Sequence, residues 1–310
     1  MKKVIISGAS GFLGKALTKN LLSKNIEVWA IVRNKNKIKN LEENINLKII
    51  EAELEEYKFL DNIIKEKNFD GFFHFALEGG LSKNSFFDYN MQINNIRYSC
   101  EAFSLARRLN CKKFIFPGTA VQYEVRKYIE DGDTNLRIAT LYGMSKIASE
   151  IFLKTLSNQY KDIELNIVYP AQIYGENDTS RTITRILIEN LITGENTKLS
   201  TGNFLYDWVY IEDVIEAIIA VYEKGINGKG YYIGHRKVKK FKNIIEEVKE
   251  ILNPNAILEF GAYPDSALID YNKVDLDSLY KDTGFEIKSN FEDTIKRTAK
   301  WIKEDMKKNV

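Results

Sequence analysis

The sequence is poor in cysteine and proline. Its 310 residues include two cysteines, Cys100 and Cys111, and four prolines. The cysteines lack the spacing of metal ligands, so we interpret them as reduced packing thiols of a cytoplasmic protein. Few prolines and no low-complexity segment argue against a disordered chain, and we find no internal repeat. The length suits one large domain or two closely joined ones.

Two further features are missing: an excess of charge and a long apolar run. Lysine and arginine number 45 against 43 aspartates and glutamates, a net charge of +2. Charge therefore gives no reason to expect nucleic acid or a membrane surface as a partner. The first apolar run reaches a glycine by residue 8, which is too short for a signal peptide, and no stretch approaches a membrane span. We expect a cytoplasmic protein that binds neither nucleic acid nor membrane.

What the sequence does contain is a regular alternation of strand and helix patterns. Apolar, β-branched runs predict buried strands, at residues 4–7, 27–33, 47–50, 71–77, 113–116 and 164–169. Helical spacing predicts helices between them, two of them long, at 93–109 and 139–159. Buried strands that are each followed by a helix predict an α/β fold with a doubly wound parallel sheet.

The first strand leads into a glycine-rich turn, S-G-A-S-G-F-L-G, at residues 7–14. Gly8 would permit a tight turn, Gly11 the close approach of a phosphate, and Gly14 close packing of the next helix on the strand. Backbone N–H groups at a helix start bind the pyrophosphate of a dinucleotide. The turn therefore predicts a Rossmann-type nucleotide-binding fold, and a turn without any ligand is the alternative.

The end of the second predicted strand indicates the type of dinucleotide. An acidic residue there would accept hydrogen bonds from the ribose 2′-OH of NAD, but this sequence has Arg33, Lys35 and Lys37. Such cations can pair with a 2′-phosphate. We favour NADP over NAD, which stays possible because a solvated basic loop has the same composition.

The pattern changes after Gly175. Helical segments at 181–191, 214–222 and 241–252 are separated there by glycine- and asparagine-containing turns, with a short strand at 230–234. We place a boundary near residue 172, so that residues 1–172 form the dinucleotide-binding Rossmann domain. Residues 173–310 form mainly a smaller, carboxy-terminal substrate-binding lobe, and residues 208–234 are expected to return to the first domain.

Tyr142 and Lys146 lie four residues apart in the helix predicted at 139–159. This spacing places both on one helix face. A free phenol titrates near pH ~10, and a neighbouring ammonium favours the phenolate and lowers that pKa. The pair can then exchange a proton with a carbonyl or alcohol oxygen while hydride moves at the adjacent carbon.

With these motifs the chain resembles the extended short-chain dehydrogenase/reductase family of nucleotide-sugar epimerases and reductases. The resemblance covers roughly residues 4 to 214. It rests on seven segments in order: G-A-S-G-F-L-G at 8–14, H-F-A-L at 74–77, Q-I-N-N-I at 92–96, F-P-G-T-A-V-Q-Y-E at 116–124, Y-G-M-S-K at 142–146, Y-P-A-Q-I-Y-G at 169–175 and L-Y-D-W-V-Y-I-E-D-V at 205–214.

The resemblance implies a catalytic set and two binding sites, and no metal. The catalytic set is Thr119, Tyr142 and Lys146. Arg33 and Lys37, proposed above from their charge, are counted with the cofactor-binding residues that the resemblance implies. The full set is Gly8, Ser10, Gly11, Phe12, Leu13, Gly14, Arg33, Lys37, Glu53, Leu54, Phe75, Ala76, Leu77, Asn94, Tyr142, Lys146, Tyr169, Ala171, Gln172 and Ile173. The expected substrate-binding residues are Glu78, Gly79, Thr119, Ala120, Val121, Gln172, Arg181, Tyr206 and Trp208.

The sequence departs from the family pattern at several points. Tyr206 stands where many members have an arginine that contacts the nucleotide diphosphate, which Arg181 or Arg185 would then hold. Glu53 replaces the usual aspartate at the adenine. Tyr206 and Trp208 fit the core as well as the wall of a site. His74 is more simply a core residue than a base, and Asn94 would tie its helix to the neighbouring loop.

We expect an NADP(H)-dependent reductase of a nucleotide-linked 4-keto sugar, often a 6-deoxy sugar. The alternative is a nucleotide-sugar 4-epimerase that retains NAD and uses the same residues. A dehydratase is less favoured, because Ala120 and Val121 follow Thr119 where such enzymes place an acidic pair. A non-catalytic dinucleotide-binding relative is disfavoured by the intact catalytic set. The long helices at 93–109 and 139–159 resemble those through which family members dimerise, so we expect a homodimer.

Overall fold

The computed structural model describes residues 1–41, 44–80, 83–131, 140–265 and 269–308. Its strands are, in chain order, β1 (Lys3–Ser7), β2 (Glu27–Val32), β3 (Leu47–Glu51), β4 (Gly71–His74), β5 (Lys113–Pro117), β6 (Glu164–Pro170), β7 (Gln172–Tyr174), β8 (Thr197–Ser200), β9 (Leu205–Tyr206), β10 (Trp208–Tyr210), β11 (Gly230–Ile233), β12 (Lys239–Lys240) and β13 (Leu258–Tyr263).

The α-helices are α1 (Phe12–Ser23), α2 (Lys83–Phe87), α3 (Tyr89–Arg108), α4 (Val121–Asp131), α5 (Thr140–Tyr160), α6 (Ile183–Thr193), α7 (Ile211–Lys224), α8 (Phe241–Leu252), α9 (Ser278–Thr283) and α10 (Phe291–Lys308). Three 3-10 helices span Lys35–Leu41, Leu54–Asn62 and Tyr271–Lys273. Within the described ranges, none of the helices is long and apolar enough to cross a lipid bilayer.

Seven parallel strands form the main sheet, in the order β3–β2–β1–β4–β5–β6–β11. The strand order reverses between β1 and β4, which is where ligands bind in sheets of this kind. Val4, Ile5 and Ile6 of β1 are all fully buried, although successive side chains point to opposite faces. Helices cover both faces, with α1 packed on α7 and α3 on α5. The predicted α/β fold with a doubly wound parallel sheet is confirmed.

Three two-stranded sheets form the rest of the β-structure in the described residues. β7 pairs with β10 in parallel, β8 with β13 in parallel, and β9 with β12 antiparallel. β7 begins two residues after β6 ends, so the chain passes directly from the main sheet into this smaller part. β11 returns to the main sheet and pairs with β6.

The elements differ from the prediction at two places near the site. β4 ends at His74, so residues 75–77 form a loop and not the end of a strand. Residues 121–131 form α4, which was not predicted, although Val121, Val125 and Tyr128 have helical spacing and pack together. The predicted first residue of the long helix, Ala139, lies outside the described residues, and α5 is described from Thr140.

Candidate active site

The glycine turn joins β1 to α1 beside the point where the strand order reverses. Gly8 has a left-handed backbone with φ of +69°, and a Cβ there would lie 2.6 Å from the nitrogen of Ala76. A Cβ on Gly14 would overlap the carbonyl of Gly8. Neither position can hold a larger side chain without moving the backbone.

The start of α1 is suited to an anion. Gly11 is exposed and extended, with φ of −76° and ψ of 173°. The N–H groups of the next three residues, Phe12, Leu13 and Gly14, have no intrahelical partners. The first turn contains no acidic residue, and the helix dipole adds positive partial charge. The turn, which also contains Ser10, therefore fits the pyrophosphate of a dinucleotide.

Residues 75–77 lie directly against this turn. The backbone N–H of Phe75 donates to the carbonyl of Ser7 at 3.0 Å, and that of Ala76 donates to the Ser7 hydroxyl at 3.4 Å. The Ser7 hydroxyl also lies 2.7 Å from Nδ1 of His74. Burial lowers the pKa of His74 to about 3, with a smaller contribution from the charge of Lys146. His74 is thus a neutral core residue that supports the loop.

The basic residues after β2 are at the surface. Arg33 and Lys37 are both exposed, and neither forms an ion pair with any residue that the structure describes. The backbone N–H of the nearby Lys35 donates to Glu51 at 3.4 Å. Two cations without an acidic partner therefore stand at the end of β2, at the predicted position.

Glu53, expected at the adenine, stands directly before the 3-10 helix Leu54–Asn62. Its backbone carbonyl accepts from the N–H of Glu56 at 3.1 Å. The Glu56 carboxylate accepts in turn from the N–H of Glu53 at 2.6 Å. The Glu56 side chain thus caps the start of this helix, and the neighbouring Leu54 is buried.

The asparagine that ties α3 to the loop after β4 is Asn95, one residue beyond the predicted Asn94. Its Oδ1 accepts from the N–H of Glu78 at 2.9 Å, and its Nδ2 donates to the Glu78 carbonyl at 3.4 Å. Asn95 shares the buried face of α3 with Gln92 and Ser99, whereas Asn94 is half-buried. The expectation that Asn94 forms this tie was wrong, because the two adjacent asparagines differ only in the face of α3 on which they lie.

Thr119, Tyr142 and Lys146 meet at the carboxyl end of β5. Tyr142 and Lys146 lie on the buried face of α5, each 7% exposed. The Nζ of Lys146 donates to the carbonyl of Pro117 at 2.8 Å and lies 6.0 Å from the centre of the Tyr142 ring. The Thr119 side chain lies close enough to the Tyr142 phenol to lower the pKa of that phenol. The three predicted catalytic side chains are therefore within one small region.

The protonation of this group differs from the expected phenolate beside an ammonium. Burial raises the pKa of Tyr142 to about 12, against a smaller lowering by Thr119. Burial also lowers the pKa of Lys146 to about 7. The expected lowering of the Tyr142 pKa by Lys146 is wrong here, because the loss of hydration dominates and raises that pKa. Tyr142 keeps its proton at neutral pH.

A buried polar network holds the loop that carries Thr119. Gln122 is fully buried; its Oε1 accepts from the N–H of Thr119 at 2.9 Å, and its Nε2 donates to Glu150 at 2.8 Å. Lys154 pairs with Glu150 at 2.7 Å. This network was not predicted, although Glu150 lies four residues after Lys146, on the same face of α5.

The segment after β4 packs over Tyr142. The ring of Phe86 lies 5.2 Å from that of Tyr142. Gly79 has φ of +74°, and a Cβ there would lie 2.7 Å from the Cβ of Ser85. Oε2 of the neighbouring Glu78 is buried and has no hydrogen-bond partner in the described part of the chain. Glu78 and Gly79 therefore border the predicted site, and Glu78 directs an unpaired oxygen into the interior.

Part of the predicted substrate site is assembled around β7. The Tyr206 hydroxyl donates to Oε1 of Gln172 at 3.5 Å, and Ile173 is partly buried in the same strand. The N–H of Ala120 is 3.3 Å from the carbonyl of Pro170. Val121, by contrast, packs against the α4 residues of its own cluster.

The structure places Tyr169 and Trp208 in the core. Trp208 is 2% exposed and lies 6.1 Å from the ring of Tyr174. Tyr169 is 4% exposed, and its ring lies 5.5 Å from that of Tyr123. Aromatic residues on short strands have the same sequence pattern in a core and in a site wall, so only the packing distinguishes the two.

The two arginines considered for a diphosphate are in different situations. Arg185 pairs with Glu189 at 2.6 Å and with Asp305 at 2.7 Å. Its guanidinium is therefore committed to the contact between α6 and α10. Arg181 is exposed and is the one that could turn towards a ligand.

A surface recess of about 270 Å³ lies away from the catalytic set, near the starts of β6 and β11. It is lined by Lys154, Ser157, Asn158, Leu165, Asn227 and Gly228. Ligands of open α/β sheets bind at the carboxyl ends of the strands, so we assign this recess no role in the reaction.

A glycine turn at the reversal of strand order and a Tyr–Lys helix at the end of β5 define a short-chain dehydrogenase/reductase. The chain belongs to the NAD dependent epimerase/dehydratase family, which matches residues 4–234. The family expected from the motifs is thereby confirmed, and the protein is an enzyme of this family.

Three similar proteins illustrate the range of this family. The dTDP-D-glucose 4,6-dehydratase of Bos taurus is 24% identical, over 98% of this chain and 89% of the relative. The UDP-N-acetylglucosamine 4-epimerase of Methanobrevibacter ruminantium, solved with UDP-N-acetylmuramic acid, is 22% identical over 98% of this chain and 99% of that one, with a TM-score of 0.79. The UDP-glucuronic acid 4-epimerase of Bacillus cereus, solved with UDP-glucuronic acid and NAD, is 19% identical over 97% and 99%, with a TM-score of 0.77.

Proposed function

We propose that this protein is an NADP(H)-dependent reductase of a nucleotide-linked 4-keto sugar, often a 6-deoxy sugar. The observation that carries the proposal is the meeting of Thr119, Tyr142 and Lys146 at the carboxyl end of β5, beside the glycine turn. The solved relatives that contain UDP-sugars support a nucleoside diphosphate sugar as the substrate class.

Each residue of the set has a distinct task in this proposal. The nicotinamide, when bound, supplies the hydride. Tyr142 donates its phenolic proton to the ketone oxygen as that oxygen becomes an alkoxide, and Thr119 donates a hydrogen bond to the same oxygen. Lys146 orients the nicotinamide ribose and stabilises the phenolate that Tyr142 leaves behind.

The protonation of Tyr142 is the one that the proposed step requires. A general acid must hold its proton before the reaction, and burial raises the pKa of Tyr142 to about 12.

The cations at the end of β2 support NADP. Arg33 and Lys37 are exposed and lack acidic partners among the described residues, so they are available to a 2′-phosphate. Replacing Arg33 by Gln should raise the KM for NADPH about tenfold and leave that for NADH unchanged, since a charge-assisted hydrogen bond contributes about 1.5–3 kcal/mol. Equal KM values for the two cofactors in the wild type would contradict the preference.

A 4-epimerase that retains NAD is the second candidate. Similarity to two 4-epimerases favours it. A 4,6-dehydratase is less favoured despite the Bos taurus relative, because Ala120 and Val121 follow Thr119 and neither has an acidic side chain.

One experiment separates these candidates. The purified protein is denatured to release and identify any bound nucleotide, and it is assayed with a panel of nucleotide 4-keto sugars using NADPH and NADH in parallel. We expect little bound NAD and steady NADPH consumption with at least one sugar. Stoichiometric bound NAD without net NADPH consumption would establish the epimerase instead.

We also propose a division into two domains, a cytoplasmic location and a homodimer. Residues 1–172 would hold the dinucleotide and residues 173–310 mainly the sugar nucleotide, and the pairing of β11 with β6 supports the return of residues 208–234 to the first domain. Neither Cys100 nor Cys111 forms a disulfide, which supports a cytoplasmic location. Exposed apolar side chains on α3 and α5 support a homodimer.

A further inference from the structure

Asp207 and His235 form a carboxylate–imidazole pair to which the proposed reaction assigns no task. Nδ1 of His235 lies 2.7 Å from Oδ1 of Asp207. The Asp207 side chain is 3% exposed, whereas that of His235 is 43% exposed. The carboxylate of Asp207 is thus buried, and the His235 imidazole that it contacts reaches solvent.

Hydrogen bonds hold the Asp207–His235 pair in a fixed geometry. One of the two ring nitrogens of His235 is then available as a donor. Oδ2 of Asp207 accepts from the backbone N–H of His235 at 2.8 Å and from the Tyr232 hydroxyl at 3.0 Å. A Cβ on Gly234 would overlap the Asp207 carboxylate. With Nδ1 directed at the carboxylate, Nε2 is the other ring nitrogen, and it has no hydrogen-bond partner within the described ranges.

The pair lies next to residues already expected to bind substrate. Asp207 directly follows Tyr206, and its carbonyl accepts from the N–H of Gln172 at 3.2 Å. His235 follows β11 by two residues, and the last residue of that strand, Ile233, accepts from the N–H of Ala171 at 3.0 Å. His235 is therefore at the carboxyl end of the main sheet, where ligands of this fold bind.

The charges facing His235 favour its protonated form. Burial alone would lower the pKa of His235, but the hydrogen bond and the charge of Asp207 outweigh burial. Asp213 of α7 adds to this effect, Lys239 of β12 opposes it, and the net result is a raised pKa. Tyr232, the other titratable group on the carboxylate, acts as a neutral donor.

The loop between β11 and β12, together with β12 itself, supplies further positive charge. Lys237 and Lys240 are exposed and form no ion pair in the part of the chain that the structure describes. β12, which contains Lys240, pairs with β9 beside Tyr206. Arg185, by contrast, is committed to Glu189 and Asp305.

We propose that His235, held by Asp207, is a substrate-binding residue whose Nε2 donates to an anionic oxygen of the nucleoside diphosphate sugar. The inference rests on the proposed function, which supplies the substrate class. It predicts that affinity is highest below the pKa of His235 and falls as the pH rises through it, because only the imidazolium adds charge to this hydrogen bond.

The test is a calorimetric titration of the full-length protein with dTDP-glucose, UDP-glucose, ADP-glucose and GDP-glucose between pH 5.5 and 8.5, because the diphosphate of these compounds, unlike the terminal phosphate of a free nucleoside diphosphate, does not titrate in this range. We expect His235→Gln to weaken the binding of the preferred sugar nucleotide about tenfold at low pH, the usual size of one charge-assisted hydrogen bond, and to remove the pH dependence. His235→Arg should restore the affinity at every pH. In steady-state assays, His235→Gln should raise the KM for the sugar nucleotide and leave kcat unchanged.

Arg236→Gln is the matched control. It removes a neighbouring cation whose guanidinium pairs with Asp277 at 2.8 Å, and it should leave affinity and pH profile unchanged. If His235→Gln binds as the wild type does at every pH, or if His235→Arg fails to restore affinity, the inference is overturned while the proposed function stands. If the wild type binds none of the four sugar nucleotides and reduces no sugar of the panel, the proposed function itself fails and this inference with it.

Discussion

At the residue scale, the chemistry of Tyr142 is decided by its surroundings. It is 7% exposed, and burial raises the pKa of its phenol to about 12, against a smaller lowering by Thr119. Removing the phenolic oxygen leaves the ring and its packing against Phe86 in place. A variant at this position therefore separates proton donation from the shape of the site.

We predict that Tyr142→Phe lowers kcat at least ~100-fold, the usual contribution of a general acid, with little change in the free energy of unfolding. Steady-state rates under saturating NADPH measure this loss. Tyr123→Phe is the control, because it removes a hydroxyl from the same region while keeping a ring that packs on Tyr169. Full activity of Tyr142→Phe would show that another group donates the proton.

Lys146 is placed in the catalytic set, but burying its ammonium lowers the stability of the fold. Burial lowers its pKa to about 7, whereas an unfolded lysine titrates near ~10.4. Below both values the ammonium is buried at a cost, and between them the folded protein binds fewer protons than the unfolded chain. The wild type should therefore gain stability as the pH rises from about 7 towards ~10.4.

We predict that Lys146→Met abolishes activity yet raises the free energy of unfolding at pH 6 by more than ~1 kcal/mol, because burial, which lowers the pKa of Lys146 to about 7, disfavours the charged form in the folded protein. The difference in stability between Lys146→Met and the wild type should shrink as the pH rises from about 7 towards ~10.4, because the wild-type lysine then becomes neutral in the folded protein. Urea unfolding at several pH values measures the difference. A constant difference at all pH values would mean that the burial of charge is not its cause.

At the scale of elements, the start of α1 separates folding from cofactor binding. A Cβ on Gly14 would overlap the backbone of Gly8, whereas one on Gly11 would approach the same carbonyl only to 3.3 Å. Gly11 is exposed at the end of the helix that carries the unpaired N–H groups. The two glycines of one turn thus have different tasks.

We predict that Gly11→Ala leaves the free energy of unfolding within about 1 kcal/mol of the wild type, since an exposed extended residue tolerates a methyl group. It should weaken NADPH binding at least ~10-fold, because the methyl group stands where the pyrophosphate approaches. Gly14→Ala should destabilise the fold by roughly 1–3 kcal/mol, as overpacking does. Thermal unfolding and fluorescence titration measure the two effects, and unchanged NADPH affinity of Gly11→Ala would contradict the placement of the phosphates.

The strands differ in how well the sequence predicts them. The inner strands β1, β4 and β5 are predictable because both of their faces are buried and their apolar runs are unbroken. The strands of the smaller sheets, such as β9 and β12, contain two residues each, too few for any period to be detected. Their pairings depend on distant contacts that a local pattern does not contain.

The site follows the same division between local and distant information. The Tyr142–Lys146 spacing and the glycine turn are local, so both are visible in the sequence. The contact between Asp207 and His235 joins residues 28 positions apart, and the choice between Asn94 and Asn95 depends on the phase of α3 on its neighbours. Burial, which sets the protonation of Tyr142, is a property of the folded chain alone.

At the scale of the whole molecule, α5 connects the catalytic set with the protein surface. Its buried face carries Tyr142 and Lys146, and its outer face exposes Met144, Ile151 and Phe152. Together with Ile93 of the neighbouring α3, they form an apolar stripe on one side of the protein. Exposed apolar stripes on adjacent helices are typical of an interface between subunits.

We predict that the wild type sediments as a dimer and that Phe152→Glu sediments as a monomer. Phe152 is 55% exposed in the single chain, so the charge would cost little there, whereas burying an unpaired carboxylate in a self-complementary interface would cost several kcal/mol. Ile257→Glu is the control, since Ile257 is 58% exposed on a different part of the molecule and should leave the dimer intact. If both variants keep the mass of the wild type in sedimentation equilibrium, the α3–α5 stripe is not the interface. If Phe152→Glu alone dissociates, the helix that positions Tyr142 is also the helix that joins the two subunits.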